Sequence, residues 1–245
     1  MKYPSNIKNN VSKRILALIH WIKPDSFVID VGTDHAYLPI ALIDRKITRN
    51  ILAIDNNIKP LAKARHNIHK AGYADFIELR INDGLSNISF AGDEIIVIAG
   101  MGGVLISKIL AEAKSRFQQN QVLILQPNWT WYELRKWLAE NGFQIEQEQV
   151  IKEQNKFYSQ LLVKYTGKKY TITDTEAFCG ININLDINYG LDSDSLKRET
   201  DTVLTIYLEY LLRLKHLAER KSRSIVLYHK VRQNIESLLL NLSEK

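Results

Sequence analysis

The segment Val28-Ile29-Asp30-Val31-Gly32-Thr33-Asp34-His35-Ala36-Tyr37-Leu38-Pro39 limits the possible folds more than any other part of the chain. A β-branched, apolar run of this kind suits a strand buried on both faces of a sheet. Gly32 permits a sharp turn and a close approach of backbone to ligand, with no Cβ in the way. The residues from Ala36 to Arg45 then read as a helix. The unit is therefore a strand, a turn and a helix, the usual cradle for a ligand in an α/β protein.

The same alternation continues along the chain. A helix over Ser12–Ile22, ended by Pro24, precedes strand 27–31 and helix 36–45. Strand 51–55 leads to helix 58–71, and strand 76–80 to a loop through Gly84 and Gly92. Strand 94–99 leads to helix 104–115, strand 121–126 to helix 130–141, and two extended segments, 143–151 and 157–165, form a hairpin. Repeated strand–helix units predict a parallel sheet covered on both faces. Seven strands ending in a hairpin predict the Rossmann-like class I methyltransferase arrangement over residues 1–166. Gly167–Leu191 reads as a polar linker with room for one short ordered turn. Apolar spacings of three, four and seven over Asp194–Lys221 and Ser224–Leu242 favour an α-helical coiled-coil hairpin, with a single continuous helix as the alternative because no Gly or Pro marks the turn, so residues 167–245 form a second unit.

Charge is unevenly placed on this chain of 245 residues with net charge +6. Residues 1–24 carry Lys2, Lys8, Lys13, Arg14 and Lys23 and no acid, while residues 213–232 carry seven Lys and Arg against Glu219 alone. Such clusters fit a polyanionic partner, most simply nucleic acid, with solvated helix faces as the plainer alternative. Lys8, Lys13, Arg14, Arg213, Arg220, Lys221 and Arg223 are the candidate phosphate contacts. Cys179 is the one cysteine, so no internal disulfide is possible. Met1–Asn10 has no apolar core of a signal peptide, and the uncharged run Ile95–Ser107 is too short to span a bilayer. A cytoplasmic protein without membrane association is expected. The six histidines are scattered and Cys179 has no zinc-spaced partner, so no metal is expected.

Four strand ends carry the chemistry. The first supplies Asp30, Gly32, Asp34 and His35; the second ends in Asp55-Asn56; the third is followed by Asn82-Asp83-Gly84; the fourth by Ala99-Gly100-Met101-Gly102-Gly103. Asp55 is placed to accept from a ribose diol, and Asp83 from the exocyclic amine of an adenine. A dinucleotide fold would want a glycine where Asp34 stands, and Asp30 with Asp34 would repel a diphosphate. A cation suits them, and S-adenosyl-L-methionine carries an ammonium and a sulfonium. The plainer alternatives are that Asp55 caps the next helix, that Asp83 belongs to a turn, and that His35 is packing. The fifth strand end, Leu125-Gln126-Pro127-Asn128, stiffened by Pro127, could present the Asn128 amide to a base. Trp129 and Trp131 beyond it suit either base stacking or packing of a helix start.

At Val11-Ser12-Lys13-Arg14-Ile15, Asp30–Pro39, Asp83-Gly84-Leu85, Ile98–Gly103 and Leu123–Asn128 the sequence resembles the bacterial tRNA (adenine(22)-N1)-methyltransferases. The resemblance implies an S-adenosyl-L-methionine-dependent enzyme forming N1-methyladenine in the tRNA D-loop, with a coiled-coil C-terminal domain. Asp30, Gly32, Asp34, Asp55, Asn56, Asp83, Gly84, Ala99, Gly100 and Met101 would serve the cofactor. Asp34, His35, Tyr37 and Asn128 are the candidates to face the adenine. A monomer is expected. Two departures stand out: Asp55 where relatives tend to have Glu, and Tyr189-Gly190-Leu191 where they tend to have Gly-Pro. The alternatives are a methyltransferase for another RNA base or a small molecule, and an inert RNA-binding scaffold.

Overall fold

The computed structural model describes residues 11–183, 206–214 and 237. Its centre is one seven-stranded sheet in the order β3-β2-β1-β4-β5-β7-β6. The strands are β1 (Val28–Val31), β2 (Ile51–Asp55), β3 (Ile77–Ile81), β4 (Ile95–Gly102), β5 (Val122–Trp129), β6 (Phe143–Glu153) and β7 (Lys156–Tyr165). β1 to β5 pair in parallel, whereas β7 runs antiparallel to both β5 and β6. This is the predicted Rossmann-like methyltransferase sheet, with its hairpin as the last two strands.

Alternation along each strand divides the core. Ile29, Val31, Leu52, Ile54, Ile96 and Ile98 face α4 (Gly103–Ala113) and α5 (Trp131–Glu140). Val28, Ile51, Ala53, Ile95 and Val97 face α2 (Tyr37–Asp44), α3 (Ile58–Ala71) and the N-terminal segment. That segment is shorter than predicted as a helix: α1 covers Lys13–Leu16 and a single 3-10 turn Ile19–Trp21 follows. Ser12 caps α1 by accepting from Ile15 N–H.

Two strands outrun their predicted ends. β4 continues through Gly100-Met101-Gly102 and β5 through Pro127-Asn128-Trp129, paired across register shifts at Ala99/Met101 and Met101/Gly102. The glycine string is thus bulged strand rather than loop. Within the predicted linker, Asp174–Cys179 forms α6, whose capping box joins Thr173 and Glu176. It packs on the sheet domain through a buried ion pair. Arg135 contacts both carboxylate oxygens of Glu148 and donates to the Ala177 carbonyl, while Ile181 N–H donates to Glu148. Residues 206–214 are helical, with Tyr207, Tyr210, Leu211 and Leu214 buried in a cluster with Val150 and Cys179. Lys8, Arg220, Lys221, Arg223 and most of the predicted helical hairpin lie outside the described residues.

Candidate cofactor and substrate site

The carboxyl ends of β1, β2, β3 and β4 open onto a cavity of about 590 Å³, within the size range of small-molecule sites. Its position follows from topology: the chain leaves β1 toward β2 on one side, and β4 lies on the other.

The first turn is tightly wound. Gly32, Asp34 and Ala36 have positive φ values of 73°, 51° and 59°. The amides of Gly32 and Thr33 both donate to the Ile54 carbonyl, tying the turn to β2. A Cβ on Gly32 would fall against the Met101 side chain, but the left-handed backbone is the firmer reason for glycine. Asp30 lies at the cavity wall yet is buried. Loss of hydration raises its pKa to about 6, the Thr33 hydroxyl opposes the rise and the Asp55 charge adds to it.

Asp55 is fixed by its neighbours rather than capping α3. One carboxylate oxygen accepts from Asp34 N–H at 3.2 Å and the other from Asn57 N–H at 2.9 Å. Each oxygen retains lone-pair capacity. The third strand end is held by Asn82, whose amide donates to the Gly84 and Ser86 carbonyls. Gly84, with φ of 53°, backs onto Ile109. Gly100 has φ of 85°, and a Cβ there would stand in ordinary van der Waals contact with Arg14 Nη1 at 3.6 Å.

All ten predicted cofactor residues, Asp30, Gly32, Asp34, Asp55, Asn56, Asp83, Gly84, Ala99, Gly100 and Met101, line this one cavity. Tyr37 and Asn128 line it too, but His35 does not. The left-handed residues on either side of His35 turn it aside, where its ring lies edge-on to Tyr37 and 3.6 Å from the Asp34 carboxylate. Arg14, predicted as a surface phosphate contact, instead forms part of the cavity wall. Its guanidinium donates to Gln126 and lies 5.1 Å from the Tyr158 ring centre. Sequence reasoning also missed Ser12, Asn57, Pro60, Leu105 and Ile109 on the wall. Lys13 is exposed, and so is Arg213, which donates to the Asn155 carbonyl at the β6–β7 turn.

The two tryptophans part company. Trp129 is 58% exposed beside Gly102, whereas Trp131 packs against the cluster around Tyr210. Cys179 is buried and its thiol pKa is pushed up to about 12 by loss of hydration, far from a reactive thiolate. Among the described residues no group of three or more His, Cys, Asp and Glu could hold a metal, and no helix is long and apolar enough to cross a membrane.

The donor set suits S-adenosyl-L-methionine. Carboxylates line the wall where a dinucleotide fold presents bare amides to a diphosphate, Asp55 retains acceptor capacity for a diol, and the Gly100 backbone lies on the same wall.

Comparison with known proteins agrees with this geometry. A family described as "Methyltransferase domain" matches residues 11–161. The tRNA (adenine(22)-N(1))-methyltransferase of Bacillus subtilis is 32% identical over 180 residues, covering 74% of this chain and 73% of that protein. The Streptococcus pneumoniae protein Sp1610, solved in complex with S-adenosyl-L-methionine, superposes with a TM-score of 0.75 at 28% identity, covering 94% of this chain and 99% of that one. The crystal structure of the B. subtilis m1A22 tRNA methyltransferase, at 23% identity, shares the fold with a TM-score of 0.64 over 96% of this chain and 98% of that one. With more than two-thirds of a curated relative covered at this identity, the chain belongs to the bacterial tRNA (adenine(22)-N1)-methyltransferase family.

Proposed function

We propose that this protein is an S-adenosyl-L-methionine-dependent methyltransferase that forms N1-methyladenine at position 22 of tRNA. The observation that carries the reading is the convergence of four acid- or glycine-bearing strand ends on one cavity in a chain of this family. Asp30 and Asp34 face the cationic part of the cofactor, and Asp55 with Asn56 holds the ribose diol. Asp83 and Gly84 border the adenine, and the Ala99-Gly100-Met101 backbone lies beside the reacting group. The cofactor, when bound, supplies an already activated methyl group.

The protein's own share is alignment and exclusion of water. Adenine N1 is shielded in a stacked or paired base, so the base must leave its stack to reach the cavity. Asp34, Tyr37 and Asn128 border the space it would enter, with His35 one residue behind, and an acceptor there stabilises the N6 group as the ring gains positive charge. Trp129, exposed beside Gly102, suits stacking against that base or its neighbour.

Residues 1–166 make up the methyltransferase unit in this reading, and residues 167–245 a coiled-coil unit that grips tRNA. Lys8, Lys13, Arg14, Arg213, Arg220, Lys221 and Arg223 were the candidate phosphate contacts; Arg14, on the cavity wall, leaves that group. The protein acts as a cytoplasmic monomer. Incubation with labelled cofactor and unmodified tRNA, followed by nucleoside analysis, tests the function: 1-methyladenosine at position 22 is expected, and any other product overturns it. Charge reversal at Arg220, Lys221 and Arg223 is expected to raise KM for tRNA while cofactor affinity stays constant; an unchanged KM removes the second unit from tRNA binding.

A further inference from the structure

We propose that Arg14 is a positioning residue for methyl transfer, acting through Gln126 and Asn128 on the Gly100 peptide; this rests on the methyltransferase reading above. Three side chains from two distant parts of the sequence form one directed chain of hydrogen bonds. Arg14 Nη1 donates to Gln126 Oε1, Gln126 Nε2 donates to Asn128 Oδ1 at 3.1 Å, and Asn128 Nδ2 donates to the Gly100 carbonyl at 2.6 Å. Gln126 is buried, and Arg14, Gly100 and Asn128 all line the cavity.

The direction of the chain is set at its far end. A guanidinium only donates, so Gln126 must turn its oxygen toward Arg14 and its nitrogen toward Asn128. Asn128 must then accept from Gln126 and donate to Gly100. An amide alone can be reversed by a half-turn, and a reversed Asn128 would set its oxygen against the Gly100 carbonyl, two acceptors with no proton between them. Gly100 cannot resist that repulsion by itself. It has no Cβ, sits at φ of 85° and lies in a bulged stretch of β4, so its peptide plane is free to rotate. The hydrogen bond from Asn128 holds it.

Arg14 does more than fasten α1 to the sheet. That task falls to two glutamines of the β6–β7 hairpin: Gln160 donates to the Arg14 carbonyl at 2.6 Å and Gln149 to the Ala17 carbonyl at 3.0 Å. Arg14 Nε, moreover, is buried with no acceptor among the described residues. An unsatisfied donor of that sort costs about 1–3 kcal/mol and calls for a reason beyond fastening.

Gln126→Glu separates the two roles. It keeps the acceptor for Arg14 and the side-chain shape, but removes the donor to Asn128 and reverses the polarity of the chain. We expect kcat to fall about 10- to 100-fold, the size of effect that small misplacements produce. KM for S-adenosyl-L-methionine and for tRNA should stay within about twofold, with the melting temperature unchanged or raised. Arg14→Met should show the same loss, and Arg14→Lys, which still donates, should recover most of it. The side-chain amide resonance of Asn128 gives a readout independent of turnover. It should exchange slowly with solvent in the wild type and in Arg14→Lys, and rapidly in Arg14→Met and Gln126→Glu. Wild-type kcat and slow Asn128 exchange in Gln126→Glu would overturn the proposal. So would a loss in Arg14→Met confined to KM for the cofactor. If the wild type makes no 1-methyladenosine, the functional reading fails while the exchange pattern still decides the relay.

Discussion

Replacing Asp30 with asparagine removes a buried carboxylate whose charge the fold tolerates at a cost. The unfolded chain ionises this group near 3.8, whereas burial holds the folded chain's proton until about pH 6. Between those values the folded state binds more protons than the unfolded state, so stability falls as pH rises through the window and levels off above it. The two values differ by about two pH units, and at 1.36 kcal/mol for each the full cost is roughly 3 kcal/mol. The asparagine side chain carries no charge but still needs hydrogen-bond partners, which offsets part of the gain. Ligand-free Asp30→Asn is therefore expected to be more stable than the wild type by roughly 1–3 kcal/mol at pH 8, with the difference shrinking toward pH 4. Urea denaturation of both proteins from pH 4 to pH 8 measures it directly. The same substitution should weaken S-adenosylhomocysteine binding at least tenfold by calorimetry and abolish the loss of affinity expected of the wild type below about pH 6. A variant less stable than the wild type at pH 8, with the same slope against pH, would refute the assignment of a strained carboxylate held for a cationic ligand.

Further substitutions probe other parts of the fold. A Cβ on Gly103 would lie 2.3 Å from the Thr130 carbonyl oxygen and 2.9 Å from Leu134 Cβ, so Gly103→Ala should cost about 1–3 kcal/mol in thermal or urea unfolding; an unchanged midpoint would mean that α4 and α5 part easily. Glu148→Ala strands a buried Arg135 and should cost about 3–5 kcal/mol, with α6 becoming the first segment cut in limited proteolysis. Trp129→Ala should leave unfolding nearly unchanged and weaken tRNA binding about fivefold or more, as loss of one stacked base does; a stability loss with normal tRNA affinity would mark Trp129 as packing. Raising salt from about 50 to about 200 mM should increase KM for tRNA steeply and leave cofactor affinity almost constant.

The succession of strands along the chain and the four strand ends were legible because each depends on local pattern: apolar runs, and the polar or glycine residues that stop them. Gly100-Met101-Gly102 defeated that reading, since glycine is depleted in strands and only pairing with β5 across a bulge keeps the segment extended. Arg14 was misplaced for a different reason. Its partner Gln126 is 112 residues away, and no spacing near Arg14 tells that α1 folds over the cavity rather than facing solvent. His35 sits in a motif rich in site residues, yet its direction depends on the left-handed backbone at Asp34 and Ala36, a conformation that aspartate adopts now and then but alanine seldom does. By contrast, α6 left a signal that the polar composition obscured: Thr173 followed three residues later by Glu176 is a capping box. The Arg135–Glu148 pair left none, because a charged residue on an amphipathic helix is more often solvated than buried.

Fastening α1 by Gln149 and Gln160 has a consequence for how the protein is made. The first helix of the described chain rests on the last two strands of the sheet, across 132 and 146 residues of sequence. A ribosome delivers the chain from the N-terminus at about 5–20 residues per second, so α1 emerges long before its seat exists. Strands β1 to β5 can pair while synthesis continues, but the Arg14 side of the cavity closes only after β6 and β7 have left the exit tunnel and paired. Prematurely released chains therefore carry the acidic turns of the cofactor site without the wall that completes it.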